Sequence, residues 1–210
     1  GIEPDRFLLT VAGAAVAECI ARGKGEESFY FIMLSDTDTA LYRREGTTIA
    51  YVDSFAWGRR NIVRGVASAL GVKEGVAEAI VALFLRGEAS DHFLHGLRRV
   101  FAGELQLLMN GIALHMKETT RQAYLSASFE LPSFLYSPAF ARHASSRVKL
   151  IPADTSFITA LLGFAWGTEE NMSAPLHTCI DAAGLLAFYF LPTDATIDTI
   201  ARRHARWLVK

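Results

Sequence analysis

Apolar residues recur along this chain with two different periods, and the change from one to the other lays out its elements. Residues 29–34, 39–44 and 47–55 are three apolar, β-rich runs placed almost back to back. In the first, Phe29, Phe31 and Met33 alternate with Tyr30, Ile32 and Leu34. Both sides of that strand are apolar, so it belongs in the middle of a sheet. Asp36, Thr37 and Asp38 separate it from the second run, and Glu45-Gly46 reads as a short hairpin turn into the third. The third strand carries Ile49, Tyr51 and Asp53 on one side and Ala50, Val52 and Ser54 on the other. After Ala56-Trp57-Gly58 the period becomes helical, with Ile62, Val63, Val66, Ala67 and Leu70 over residues 59–71. A joint at 72–75 leads to a second helix over 76–85, and a long third helix covers 90–116. Gly96, Gly103 and Gly111 interrupt the long helix, each weakening it by up to about 1 kcal/mol relative to Ala unless packing demands it.

Upstream, residues 5–22 read as a helix stopped by Gly23-Lys24-Gly25. Downstream, 123–129 reads as a fourth strand, 133–143 as a short helix, and 147–151 as a fifth strand stopped by Pro152. An apolar helix over 157–166 and a polar loop over 167–175 follow. Residues 176–190 are an apolar segment whose period does not separate helix from strand. Residues 193–210 form an amphipathic helix with Ile197, Ile200, Ala201, Trp207 and Leu208 on one side. Arg202, Arg203, Arg206 and Lys210 load its end with charge that complements the helix dipole. The organisation expected is one domain over 1–192 and this terminal helix over 193–210.

Composition narrows the possibilities. The chain has 210 residues, 51% apolar and 20% charged, enough to bury a full core. A net charge of -1 gives no basic excess, so nucleic acid is not the expected partner. Cys19 and Cys179 are the only cysteines, too few for a disulfide framework and suited to a reducing, cytoplasmic compartment. The longest apolar run, 182–191, is half of the roughly 20 residues a membrane-spanning helix needs, so a soluble chain is expected. Gly1 stands where a Met would begin a gene product, which suggests a piece of a longer protein.

Several residue groups could carry chemistry. Asp36 and Asp38 at a strand turn could hold Mg²⁺ beside phosphate oxygens, and ordinary turn chemistry also explains them. Glu88, Asp91, His92 and His95 share one side of a helix start at a spacing metal ligands can use; acidic residues at a helix N-terminus are the plainer reading. His177, Cys179 and Asp181 share a face only if they lie in a strand. Arg43, Arg44, Arg59 and Arg60 could meet an anion or simply charge a sheet edge. Arg202, Arg203, Arg206 and Trp207 could lie on an anionic membrane surface, or the helix could dock its apolar stripe on the core.

Three antiparallel strands, then helices, then two single strands with helices between them is the element order of a ribonuclease-H-like layer. The sheet would be mixed and five-stranded, with helices on both faces. Strand, acidic turn, strand, Gly46, strand, Gly58-Arg59, the helix Ile62, Val66-Ala67, Leu70-Gly71, and then Ala77-Glu78 together resemble the second half of bacterial actin-like ATPases. The cell-division actin homologue and the type IV pilus actin-like assembly protein are the members most similar in motif. The resemblance implies that Asp36 faces nucleotide phosphates and metal, with Thr37 and Thr39 near hydroxyl positions. It places Gly58 on the first glycine of a pair and Glu78 near ribose and base.

The chain departs from that pattern at several positions. No glycine follows Asp36, Arg59 replaces the second glycine, and Val63 and Val81 replace a Thr and a Lys. Ser128-Phe129-Glu130-Leu131 stands where the family has a Gly-Gly loop under the adenosine. The expectation is a degenerate actin-like domain that binds no ATP/Mg²⁺ or binds it without turnover. It would act as a cytoplasmic scaffold for a membrane-associated assembly, through protein partners or as a homodimer. The alternative is a small ribonuclease-H-like enzyme using Asp36 with Mg²⁺, with Asp38, Glu78 and Asp154 as more distant carboxylates. A purely structural interaction module is the third.

Overall fold

A computed structural model describes residues 16–17, 20–21, 23–88, 90–116, 122–143 and 148–161. Five strands form one sheet: β1 (Ser28–Leu34), β2 (Thr39–Glu45), β3 (Thr48–Phe55), β4 (Gln122–Ala127) and β5 (Lys149–Pro152). Their order is β3-β2-β1-β4-β5. β2 pairs antiparallel with both β1 and β3, while β4 runs parallel to β1 and β5 parallel to β4. This is the expected mixed sheet, with three antiparallel strands and two parallel additions. Its order and directions are those of the ribonuclease-H-like, actin-like layer.

The helices are α1 (Arg59–Leu70), α2 (Glu74–Arg86), α3 (Asp91–His115), α4 (Pro138–His143) and α5 (Thr155–Leu161), with a 3₁₀ turn at Ser133–Tyr136. The central strand explains why both faces of the sheet are covered. Tyr30, Ile32 and Leu34 join Leu41 and Leu125 in one cluster with Ile62, Val66, Phe101 and Leu105 of α1 and α3. Phe29 and Phe31 join Tyr42 and Tyr124 in a second cluster with the helical residues Val16, Ala17, Ile20 and Ala21, and with Ile158 of α5. Phe29, Tyr30, Phe31 and Ile32 have no exposed surface. Full burial of each such side chain contributes roughly 1.5–3 kcal/mol before the cost of ordering the chain.

Strand β3 differs from simple alternation. Tyr42 pairs with Tyr51 but Leu41 pairs with Asp53, so Val52 is an extra residue and the strand is bulged there. Tyr51 therefore stays on the Tyr42 side, where the two rings lie 5.8 Å apart. Asp53 and Phe55 turn to the opposite face, under the end of α3. His115 Nδ1 lies 3.3 Å from Asp53 Oδ2, and the His115 ring stacks on Phe55 at 6.0 Å. The expected shared face of Ile49, Tyr51 and Asp53 is thus broken by one inserted residue.

Other boundaries shift for local reasons. The β2–β3 turn is Gly46-Thr47, with Gly46 at φ +59, because Glu45 still pairs with Thr48. The single helix expected over 133–143 is split at Ser137 and Pro138, since Pro disfavours helix in the residue before it. Pro152 lies inside β5, which the sheet edge permits. The expected elements over 176–190 and 193–210, with Arg202, Arg203, Arg206 and Trp207, lie outside the described residues. Among the described residues no helix is long and apolar enough to cross a membrane.

The glycines of α3 divide into two kinds. A β-carbon on Gly111 would sit 2.6 Å from the Phe55 ring, so packing against β3 requires that residue to be small. At Gly96 and Gly103 an added β-carbon would meet nothing within 4 Å. Gly111→Ala is expected to lower stability by about 1–3 kcal/mol through overpacking. Gly103→Ala is expected to raise it by up to about 1 kcal/mol through helix propensity. Opposite shifts of the two urea midpoints check this.

Candidate functional site

The site expected at the end of β1 is built from the β1–β2 turn and the first residues of α1. Ser35 organises the turn. Its Oγ accepts from the N–H of Asp38 at 3.0 Å and of Thr37 at 3.3 Å, and its own N–H donates to the Asp38 carbonyl at 2.9 Å. Thr37 Oγ1 donates to Asp38 Oδ2 at 2.6 Å. This leaves the Asp36 carboxylate outside the turn, 52% exposed.

Gly58 caps α1 and touches that turn directly. A β-carbon there would lie 2.5 Å from the Ser35 carbonyl oxygen and from the Asp36 carbonyl carbon. Its φ of -162 is extended backbone, so space and not torsion demands glycine. The approach lets the Arg59 N–H donate to the Ser35 carbonyl at 3.2 Å and the Arg60 N–H to the Asp36 carbonyl at 2.9 Å. The Gly58 N–H donates to Asn61 Oδ1 at 3.0 Å. Free N–H groups at a helix start would form an anion site. At α1 two of them are bonded to the turn.

Arg59 then reaches back over the turn. Its Nε lies 3.0 Å from Asp36 Oδ1, and its Nη2 lies 3.5 Å from Asp36 Oδ2 and 3.4 Å from Glu78 Oε1 on α2. The hydrogen bond to Asp36 raises the Arg59 pKa, and the Asp36 and Glu78 charges add to this against partial burial. All three side chains are a third to a half exposed, so such pairs contribute about 0.2–1 kcal/mol each. They fix where the side chains point more than they stabilise the fold.

Asp36 and Glu78 therefore converge on one guanidinium, and Gly58 holds the turn that carries Asp36 against the start of α1. Thr37 and Thr39 do not join them. Thr37 is spent on Asp38, and Thr39 is fully buried with its Oγ1 donating to the Trp57 carbonyl at 2.7 Å. The other candidates stay apart. Glu88 pairs with Arg86 at 3.0 Å, and Asp91, His92 and His95 are exposed at the start of α3. Asp154 accepts from the Phe157 N–H at 2.8 Å and caps α5. Arg43 pairs with Glu45 at 3.0 Å. Among the described residues no three His, Cys, Asp or Glu side chains are grouped to hold a metal ion. His177, Cys179 and Asp181 lie outside the described residues.

Sequence reasoning reads Arg59 as the replacement of a glycine and as one of four arginines that could meet an anion or charge a sheet edge; what it missed is that the anions are Asp36 and Glu78 of the same chain. The available signal was an arginine directly after a helix-capping glycine. A Mg²⁺–phosphate group at Asp36 would have to displace it. A cleft of about 400 Å³ opens between the end of α2 at Phe84 and Gly87, Leu94 and Arg98 of α3, and residues 130–134. Glu130 and Leu131, which stand where the resemblance implies a glycine loop, line its wall.

No protein-family model matches the chain, and no curated protein matches it in sequence. Among solved structures it is similar to the ethanolamine utilization protein EutJ from Carboxydothermus hydrogenoformans, at 16% identity and TM-score 0.48, over 71% of this chain and 52% of that one. It is similar to the PilM–PilN type IV pilus biogenesis complex at 16% identity and TM-score 0.44, over 70% and 41%. It is also similar to Ta0583, an archaeal actin homolog, at 13% identity and TM-score 0.45, over 66% and 48%. The chain spans about half the length of these structures.

Two substitutions separate the roles of neighbouring residues. Gly58→Ala is expected to lower stability by about 1–3 kcal/mol, because backbone and not a flexible side chain must give way. Arg59→Ala is expected to lower it by less than about 1 kcal/mol. Chemical denaturation of both variants measures the contrast.

Proposed function

We propose that this chain is a divergent actin-like module with a degenerate nucleotide site, serving as a cytoplasmic scaffold in a membrane-associated protein assembly. Cell division and type IV pilus biogenesis are the assemblies its motifs resemble. The observation that carries this reading is the Arg59 guanidinium held between Asp36 and Glu78. Phosphoryl transfer depends on metal ions and positioned charges facing the phosphates. Here the carboxylate assigned to that task is turned to an arginine of its own chain. The bonded N–H groups at the start of α1 support the same reading, because phosphate would compete with backbone carbonyls for them.

The rival reading is a self-contained ribonuclease-H-like enzyme with Asp36 on Mg²⁺. It needs several carboxylates at the strand ends. Here Asp36 and Glu78 both meet Arg59, and Asp38 accepts from Thr37 within the turn.

Isothermal calorimetry with a non-hydrolysable ATP analogue and Mg²⁺ tests the proposal. Binding is expected to be weaker than about 1 mM, where the total free energy is only about 4 kcal/mol. Micromolar binding by the unmodified chain would overturn it.

A further inference from the structure

The cleft of about 400 Å³ at the end of α2 lies within the size range of small-molecule sites. Its apolar lining is anchored in the core. Phe84 of α2 is buried and stacks on Phe101 of α3, with ring centroids 4.3 Å apart. Phe134 meets Phe140 edge-on at 5.8 Å, and the Leu135 N–H donates to the Pro132 carbonyl at 3.0 Å, which closes that turn. Leu94 and Leu131 add to the apolar surface. Two charges interrupt it. Arg98 comes from α3 and Glu130 from the loop after β4. Among the described residues neither forms an ion pair or hydrogen bond, with the other or with a third group. Arg86 also lines the cleft, but it is already paired with Glu88 at 3.0 Å. The rim at Gly87 is the C-terminal end of α2, the negative end of its dipole.

We propose that this cleft binds a free α-amino acid with a large apolar side chain, its carboxylate on Arg98 and its ammonium on Glu130. A guanidinium matches a carboxylate with two parallel N–H donors. The ammonium takes the Glu130 carboxylate, and the helix end at Gly87 favours the same sign of charge. The ligand side chain covers Phe84 and Phe134, where burial of apolar surface supplies the rest of the binding. Opposite charges that share one cleft and leave each other unpaired suit a ligand that carries both signs. A simple anion, nucleoside phosphates included, would be repelled by Glu130, and a simple cation by Arg98. Size agrees with this. At about 30 Å³ for each water-sized group, the volume holds about 13 such groups, the scale of phenylalanine. The cleft is open to solvent, so a dissociation constant of about 0.1–1 mM is expected. The proposal goes beyond the reading of the Arg59 site and does not rest on it, since Asp36, Arg59 and Glu78 contribute nothing to the lining.

Saturation-transfer NMR of the 210-residue chain titrated with phenylalanine tests the proposal. Saturable binding is expected, with half-saturation below about 1 mM. Phenylpropanoate, which lacks the ammonium, and phenylethylamine, which lacks the carboxylate, should each bind at least about tenfold more weakly. Arg98→Ala should weaken phenylalanine by about tenfold and leave phenylethylamine no weaker. Glu130→Ala should weaken phenylalanine as strongly and leave phenylpropanoate no weaker. This crossed pattern separates recognition of the two charges from any change in the fold. Arg99→Ala, beside Arg98 but outside the lining, should change nothing. No saturation up to about 10 mM, loss of the crossed pattern, or adenosine binding more tightly than phenylalanine would overturn the proposal.

Discussion

The start of α1 rests on the backbone of the β1–β2 turn, and this contact sets most of what lies around it. Two carbonyls of the turn receive two N–H groups of the helix, and a side chain larger than hydrogen at residue 58 would separate them. Buried Thr39 holds the preceding residue by donating to the Trp57 carbonyl. The helix is thereby tied at its first turn to the central strand. Arg59 is the next residue along, so the same contact delivers its guanidinium to Asp36. A steric requirement of backbone packing thus determines an electrostatic arrangement at the surface.

The sheet beneath is organised by β1, whose side chains supply both cores. One face receives α1 and α3 and the other the helical residues around Ile20. Residues 29–34 of such a strand face apolar surroundings on both sides, so its chemistry is displaced to the turn that follows. The acidic residues therefore gather at residues 36 and 38 and not within the strand. The bulge at Val52 has a comparable effect at the sheet edge. It puts Asp53 and Phe55 under α3, where His115 meets both.

Burial and charge divide the labour around the candidate site. Gly58 and Thr39 are enclosed and hold the geometry. Asp36, Arg59 and Glu78 are half exposed, and their mutual attraction is small beside the packing that brings them together. An exposed ion pair is easily exchanged for another partner, whereas the backbone contact below it is not. The arrangement therefore favours a rigid edge whose surface charges are already satisfied.

Much of the fold was legible in the residues themselves. Strand β1 showed its central place through apolar residues at every position from 29 to 34, and the mixed sheet followed from the order of strands and helices. Asp36, Gly58 and Glu78 were also legible as a group through their resemblance to a known pattern. These are local properties, because side-chain alternation and turn chemistry act over a few residues. The inward turn of Thr39, the change of face at Val52, the need for Gly111 and the grip of Arg59 on Asp36 were decided only by the tertiary structure. Arg59 and Asp36 lie 23 positions apart, and one inserted residue in β3 inverts every side chain after it. Contacts of that kind depend on how finished elements meet in space, which no period along the chain encodes.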